Sequence, residues 1–164
     1  MMEVRPLTRE DDLLAVGRLY VDSWQQAYQR ILPQRFLDRL TPDRWSAVLH
    51  AEPENSLALF EDGVLTGTAM LGFPRGEGRE GYGEIVSLYL LPGAEGRGHG
   101  RRLLEASLSH LKEQGCEKAC LWVMCANSHA VLFYVHMGFR PTGRMQQENY
   151  GGEMVELMEL ARPI

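Results

Sequence analysis

Leu13, Leu14, Val16, Leu19, Tyr20 and Trp24 carry a helical period that runs towards Tyr28. Upstream, Glu3 to Leu7 reads as a short strand, and Thr8-Arg9-Glu10-Asp11 has the form of a capping box, with acids suited to a helix N-terminus. Pro33 and Pro42 then punctuate the chain. Each is placed to open a short helix, one containing Phe36, Leu37 and Leu40 and the other Trp45, Val48 and Leu49.

From Ser56 onward strands dominate. Ser56 to Glu61 and Val64 to Phe73 read as two strands joined by a turn at Asp62-Gly63. Residues 72–81 are glycine-rich and charged, which predicts a mobile loop. Tyr82 to Leu91 reads as a strand that stops at Pro92. Leu103, Leu104, Leu108 and Leu111 mark one face of a helix ending near Gly115. Lys118 to Cys125 is apolar on both faces, as a strand in the middle of a sheet would be. Asn127 opens a last helix, with Val131, Leu132 and Val135 as its expected core face and Gly138 as its end. Strands around Phe139 to Glu148 and Glu153 to Leu160 complete one α/β domain over residues 1–164, without repeat or linker.

Composition narrows the functional classes. The 164 residues are 45% hydrophobic and 24% charged, a globular balance of one-domain size. No stretch approaches the roughly 20 apolar residues that span a bilayer, and the N-terminus lacks a signal-peptide pattern. A cytoplasmic protein with no membrane association is expected. A net charge of −5 argues against nucleic acid as partner. Cys116, Cys120 and Cys125 match no zinc spacing and read as buried reduced thiols, with a covalent acyl-cysteine as the competing use. The five histidines lack metal-ligand spacing, so no metal is expected.

Candidate chemistry concentrates where the strand Leu88-Tyr89-Leu90-Leu91 runs through Pro92-Gly93-Ala94-Glu95-Gly96-Arg97-Gly98-His99-Gly100 into a helix. Backbone N–H groups at such a turn, with the helix dipole behind them, suit a pyrophosphate. Glycines at 98 and 100 let phosphates approach the main chain, and Arg97, Arg101 and Arg102 could add charge-assisted contacts. A P-loop would need Gly-Lys-Ser/Thr, which is missing. A dinucleotide fold would need an acid at the end of the next strand, whereas Glu117 precedes that strand. A purely structural turn is the third alternative. Further on, Asn127, Ala130 and Tyr134 share one helical face. Taken singly, such an Asn is usually an N-cap and such a Tyr is usually core.

Together these two segments resemble the GNAT superfamily of N-acetyltransferases. The family pattern Gln/Arg-x-x-Gly-x-Gly/Ala is matched at Glu95 to Gly100, and Asn-x-x-Ala-x-x-Phe-Tyr-x-x-x-Gly-Phe at Asn127, Ala130, Phe133, Tyr134, Gly138 and Phe139. The element order also fits over nearly the whole chain. Glu95 departs from the pattern by putting a carboxylate near the expected pyrophosphate.

The resemblance implies a mixed central sheet flanked by helices and transfer of an acetyl group from acetyl-CoA to an amine, by direct attack in a ternary complex. The acceptor would be a small molecule, an amino acid or a protein amine. It places the donor's pantetheine arm along Leu88-Tyr89-Leu90, with Leu90 N–H facing the thioester carbonyl, and its phosphates on Arg97, Gly98, His99, Gly100 and Arg101. Asn127 would contact pantetheine or pyrophosphate, and Tyr134 would serve as proton donor near sulfur. Glu84 falls eleven residues before Glu95, a spacing at which histone-type members carry a catalytic glutamate. Strand alternation predicts Glu84, Val86, Leu88 and Leu90 on one face, so that Glu84 could act as base. Trp24, Tyr28, the loop from Arg75 to Gly83, and Glu148, Tyr150 and Glu153 are the expected acceptor side. Members of the superfamily often pair, so a homodimer is among the expected states. A non-catalytic acyl-CoA sensor on the same fold is the alternative.

Overall fold

The described residues form seven strands, which the computed structural model joins in one mixed sheet of order β1-β2-β3-β4-β5-β7-β6. It describes residues 1–74 and 76–164. The strands are β1 (Met2–Pro6), β2 (Ser56–Glu61), β3 (Val64–Gly72), β4 (Tyr82–Leu90), β5 (Lys118–Met124), β6 (Arg140–Tyr150) and β7 (Glu153–Pro163). The helices are α1 (Leu13–Ala27), α2 (Gln34–Leu37), α3 (Ser46–Ala51), α4 (His99–Glu113) and α5 (Ser128–His136). Pro33 precedes α2 as expected, while Pro42 opens a 3₁₀ turn, Pro42–Trp45, that leads into α3. The α/β class and the flanked mixed sheet expected from the sequence are both found.

Two apolar layers sandwich the sheet. On one face Leu103, Leu104, Leu108 and Leu111 of α4 pack with Leu71, Ile85, Leu121 and Leu160. On the other, α1 to α3 cover Tyr89, Trp122, Met124 and Leu157. β5 lies between β4 and β7, which explains its apolar residues on both faces.

Three local expectations are corrected. α1 is capped by Asp12, which accepts from Ala15 N–H at 3.0 Å. Asp11 does accept Thr8 N–H at 2.8 Å, as in a capping box, but the helix begins beyond it, and Asp11 also takes the Arg5 guanidinium at 2.7 Å, so it pins β1 to the turn. On α5, Leu132 is 69% exposed. Tyr134 turns towards the sheet, with Ala130, Val131, Phe133 and Met137 packed alongside, which rotates Leu132 outward. The loop ahead of β4 is anchored, although Arg75 lies outside the described residues. Arg79 is buried, pairs with Glu159 of β7, and lies 5.1 Å over the Tyr82 ring.

Candidate active site

The site begins with a departure from ideal pairing. β4 and β5 run parallel but are matched only at Tyr82–Lys118, Gly83–Ala119 and Glu84–Cys120. Beyond that point each strand keeps its outer partner, β4 as far as Leu90 opposite Gly67 and β5 as far as Met124 opposite Leu157, while their inner edges separate. The register against β3 slips between Met70 and Leu71, where Ser87 and Ile85 are the successive partners and Val86 is the extra residue. Such a bulge bends and twists the strand that carries it.

This bulge overturns the expected alternation. Glu84 does not share a face with Leu88 and Leu90. Ile85, Leu88 and Leu90 pack on the α4 side, and Ser87 and Tyr89 meet α1 through Tyr20. Glu84, next to Ile85, therefore belongs to the α1 face.

Backbone direction follows from one hydrogen bond. Leu91 N–H donates to Thr66 C=O at 2.8 Å, which turns the polar groups of Tyr89 towards β3 and those of Leu88 and Leu90 towards the gap. Ser23 Oγ donates to Leu90 C=O at 2.7 Å, leaving the amides of Leu88 and Leu90 directed into the gap without strand partners. A cavity of about 1310 Å³ runs through this opening and connects the two faces of the sheet.

The glycine turn forms one end of the cavity. Gly98 is the N-cap of α4 with φ of +81°, and a Cβ there would meet nothing within 4 Å. The first helical bond is Arg102 N–H to Gly98 C=O, so the amides of His99, Gly100 and Arg101 have no acceptor within the helix. These residues fit a pyrophosphate. Gly98, Gly100 and Arg101 line the cavity, with Glu95 and Gly96 beside them.

Arg97 and His99 take a different part from the one expected. Glu61, at the end of β2, accepts from Arg97 Nη1 at 3.1 Å and faces His99 Nε2 at 3.0 Å. His99 Nδ1 lies 3.0 Å from Ala94 C=O, and the ring is buried. Neither side chain lines the cavity. Both side chains tie the turn to β2, and of His99 only the amide remains for a ligand at the helix N-terminus. Glu61 carried no local sequence signal, because it joins the turn only through tertiary structure. Arg102 likewise reaches back to Met2 C=O at 3.3 Å. Glu95 is engaged too: its Oε2 accepts Gly93 N–H at 2.9 Å, while Arg101 pairs with Glu105.

Asn127 lies in the cavity wall and caps α5, accepting Ala130 N–H at 3.3 Å. Tyr134 is buried between Phe133 and Phe139, with ring centroids at 5.2 and 5.8 Å, and it also lines the cavity. Burial pushes its hydroxyl well above the usual tyrosine range, and the nearby Tyr28 adds to this. Tyr28 Oη is 2.8 Å from Tyr89 Oη and is itself pushed up to about 12, burial being the larger cause. Tyr20 Oη similarly meets Ser87 Oγ at 2.7 Å.

Opposite the glycine turn, Trp24, Tyr28, Trp45, Tyr89 and Tyr150 wall the cavity. Of the hairpin residues expected on the acceptor side, Tyr150 lines it and Glu148 and Glu153 do not. Glu84 is not in the wall either. It sits half-buried beside Cys120, where burial raises its carboxyl above the usual range, Arg79 opposes the rise and Glu159 adds to it. Burial drives the Cys120 thiol up to about 12, which leaves little thiolate at neutral pH.

A parallel pair splayed around a through-cavity, with a glycine turn opening a helix at one end, can hold an extended ligand that ends in phosphates, and the family match gives the class as an acetyltransferase. The chain belongs to the Acetyltransferase (GNAT) family, whose model matches residues 13–139. It is an acetyltransferase by that membership, as the sequence motifs implied. An uncharacterized N-acetyltransferase, YuaI of Bacillus subtilis, is 30% identical over 98% of this chain and 91% of its own length. The PaiA N-acetyltransferase of Thermoplasma acidophilum, solved with coenzyme A, superposes with a TM-score of 0.76 at 22% identity, covering 97% of this chain and 98% of that one. YncA of Salmonella typhimurium, solved with acetyl-CoA, also gives 0.76 at 22% identity over 99% and 94% of the two chains. At that identity the likeness speaks for the fold.

Proposed function

We propose that the protein transfers an acetyl group from acetyl-CoA to a primary amine by direct attack within a ternary complex. The observation that carries this reading is the gap between β4 and β5, which presents free strand amides to one cavity open on both faces of the sheet. The donor supplies an acetyl group activated as a thioester. The glycine turn and the first-turn amides of α4 hold its phosphates, and Leu88 pairs with its amide arm as a neighbouring strand would. Leu90 N–H polarises the carbonyl oxygen as charge gathers there.

The amine nitrogen forms a bond to the carbonyl carbon as the carbon–sulfur bond breaks. Tyr134 donates its hydroxyl proton to the departing sulfur. Burial keeps the hydroxyl protonated at neutral pH but also lowers its acidity, so the proton moves only as charge develops on the sulfur. Glu84, on the acceptor face, accepts the ammonium proton through water, because its carboxylate stands behind the wall. A free alkylamine titrates near ~10.4, so this help and an apolar pocket are both needed at neutral pH. Cysteine chemistry is not required, in keeping with the buried Cys120.

Incubation with acetyl-CoA and a panel of primary amines should release free thiol in proportion to acetylated product. Thiol release that does not depend on any amine would contradict direct transfer.

A further inference from the structure

The two halves of the cavity differ in chemistry. Every charged or titratable nitrogen and carboxylate side chain among its described lining residues lies on the donor side: Glu95 and Arg101 at the glycine turn, and His129 and His136 on α5. The acceptor half is aromatic. Trp24 stands edge-on to Tyr28, Trp45 and Tyr150, with centroids 5.1, 5.8 and 6.1 Å away. Tyr89 closes the inner end, and Met124 and Leu157 add apolar surface. The nearby cations are not part of this wall. Arg44 stands behind the rings, 5.5 Å over Phe36 and 6.0 Å over Trp45, without lining the cavity, and Arg79 is already paired with Glu159.

We infer that the acceptor is a primary amine carried on an aromatic or comparably flat apolar group, with no carboxylate beside the amino group. This rests on the cavity being the acetyl-transfer site. Three considerations support it. Rings set edge-on around a slot offer stacking and edge contacts to a flat group. A carboxylate next to the reacting amine would enter the gap between β4 and β5, lose its water and find no cation among the described residues that line the acceptor half. An apolar wall also favours the neutral amine, the form that attacks. Ring faces attract cations as well, so a long polyamine is the competitor that experiment must separate.

The test uses the full chain and reads free thiol at saturating acetyl-CoA, with calorimetric binding of acetyl-CoA measured alongside. The acceptors are 2-phenylethylamine and tryptamine, their carboxylated counterparts phenylalanine and tryptophan, and spermidine. The expected kcat/KM for each arylalkylamine exceeds that of its amino acid, and of spermidine, by about tenfold or more. Trp24→Ala should cut the value for 2-phenylethylamine about tenfold while leaving acetyl-CoA affinity unchanged, and Trp24→Phe should restore most of it. Equal or better use of the amino acids or of spermidine, or no turnover of any arylalkylamine by a chain that binds acetyl-CoA, overturns this inference alone. A chain that does not bind acetyl-CoA overturns the reading beneath it as well.

Discussion

At single residues, the proposed chemistry depends on which groups hold protons. Glu84 must be ionised to serve as base, so activity should fall as pH drops through its pKa. Burial has moved that value above the ~4.3 of a free glutamate, with Arg79 restraining the rise. Glu84→Gln is therefore expected to lower kcat about 100-fold and to erase the acid limb of the pH–rate profile, with acetyl-CoA affinity unchanged. A variant that keeps the limb would remove Glu84 from the mechanism. Glu95 has the opposite expectation. Its carboxylate stands in the cavity wall and bonds Gly93 N–H, a bond the amide oxygen of glutamine can also accept. Glu95→Gln should leave coenzyme A affinity equal or higher, and a clear loss by calorimetry would give the negative charge a positive role. Single positions also show how far the sequence could be read. The motif residues Gly98, Gly100, Asn127 and Tyr134 all reach one cavity, because short local spacing fixes them on a helix N-terminus and a helix face. Arg97 and His99 belong to the same motif and still turn away, because Glu61 approaches from a distant strand.

At the scale of elements, periodicity and the prolines and glycines marked where strands and helices fall, but not the cap of α1 or the places where strands break their pattern. A single extra residue at Val86 reverses which side chains of β4 face α1, and nothing in Tyr82 to Leu90 marks it, since both faces of that stretch are largely apolar. The turn ahead of β4 was legible as a loop from its glycines. Its anchor was not, because Arg79 and Glu159 are eighty residues apart. Burial raises the Glu159 carboxyl, but hydrogen bonds from Arg79 and Thr142 outweigh it and hold the group below its usual range. A carboxylate depressed in the folded state stabilises the fold above ~4.3 and loses that contribution as pH falls through its lowered value. Arg79→Met strands the charge, with an expected cost of about 3 kcal/mol at pH 7. The cost should shrink towards pH 5, where Glu159 in the variant can take up a proton. Urea unfolding at both pH values checks this, and an equal loss at each would mean that Arg79 acts by packing rather than charge.

At the scale of the whole molecule, one cavity of about 1310 Å³ joins a half at the glycine turn, proposed for the donor, to an aromatic half, proposed for the acceptor, through a break in the sheet. The family motifs made the donor half readable in the sequence. The acceptor half is assembled from α1, the turn after it, β4 and the β6–β7 hairpin, so only Trp24, Tyr28 and Tyr150 could be anticipated there, and only as a region. Everything proposed for the chemistry depends on acetyl-CoA binding through the glycine turn. It is tested most directly by the unfolding temperature with and without acetyl-CoA, in the wild type and in Gly98→Asp. Ligand at ~100 times its dissociation constant adds about 2.7 kcal/mol, which for a chain of this size is a rise of roughly 5–10 °C. That rise is expected in the wild type and should be lost in the variant, where a carboxylate and a strained backbone replace the glycine. No shift at millimolar acetyl-CoA, or an undiminished shift in Gly98→Asp, would contradict it.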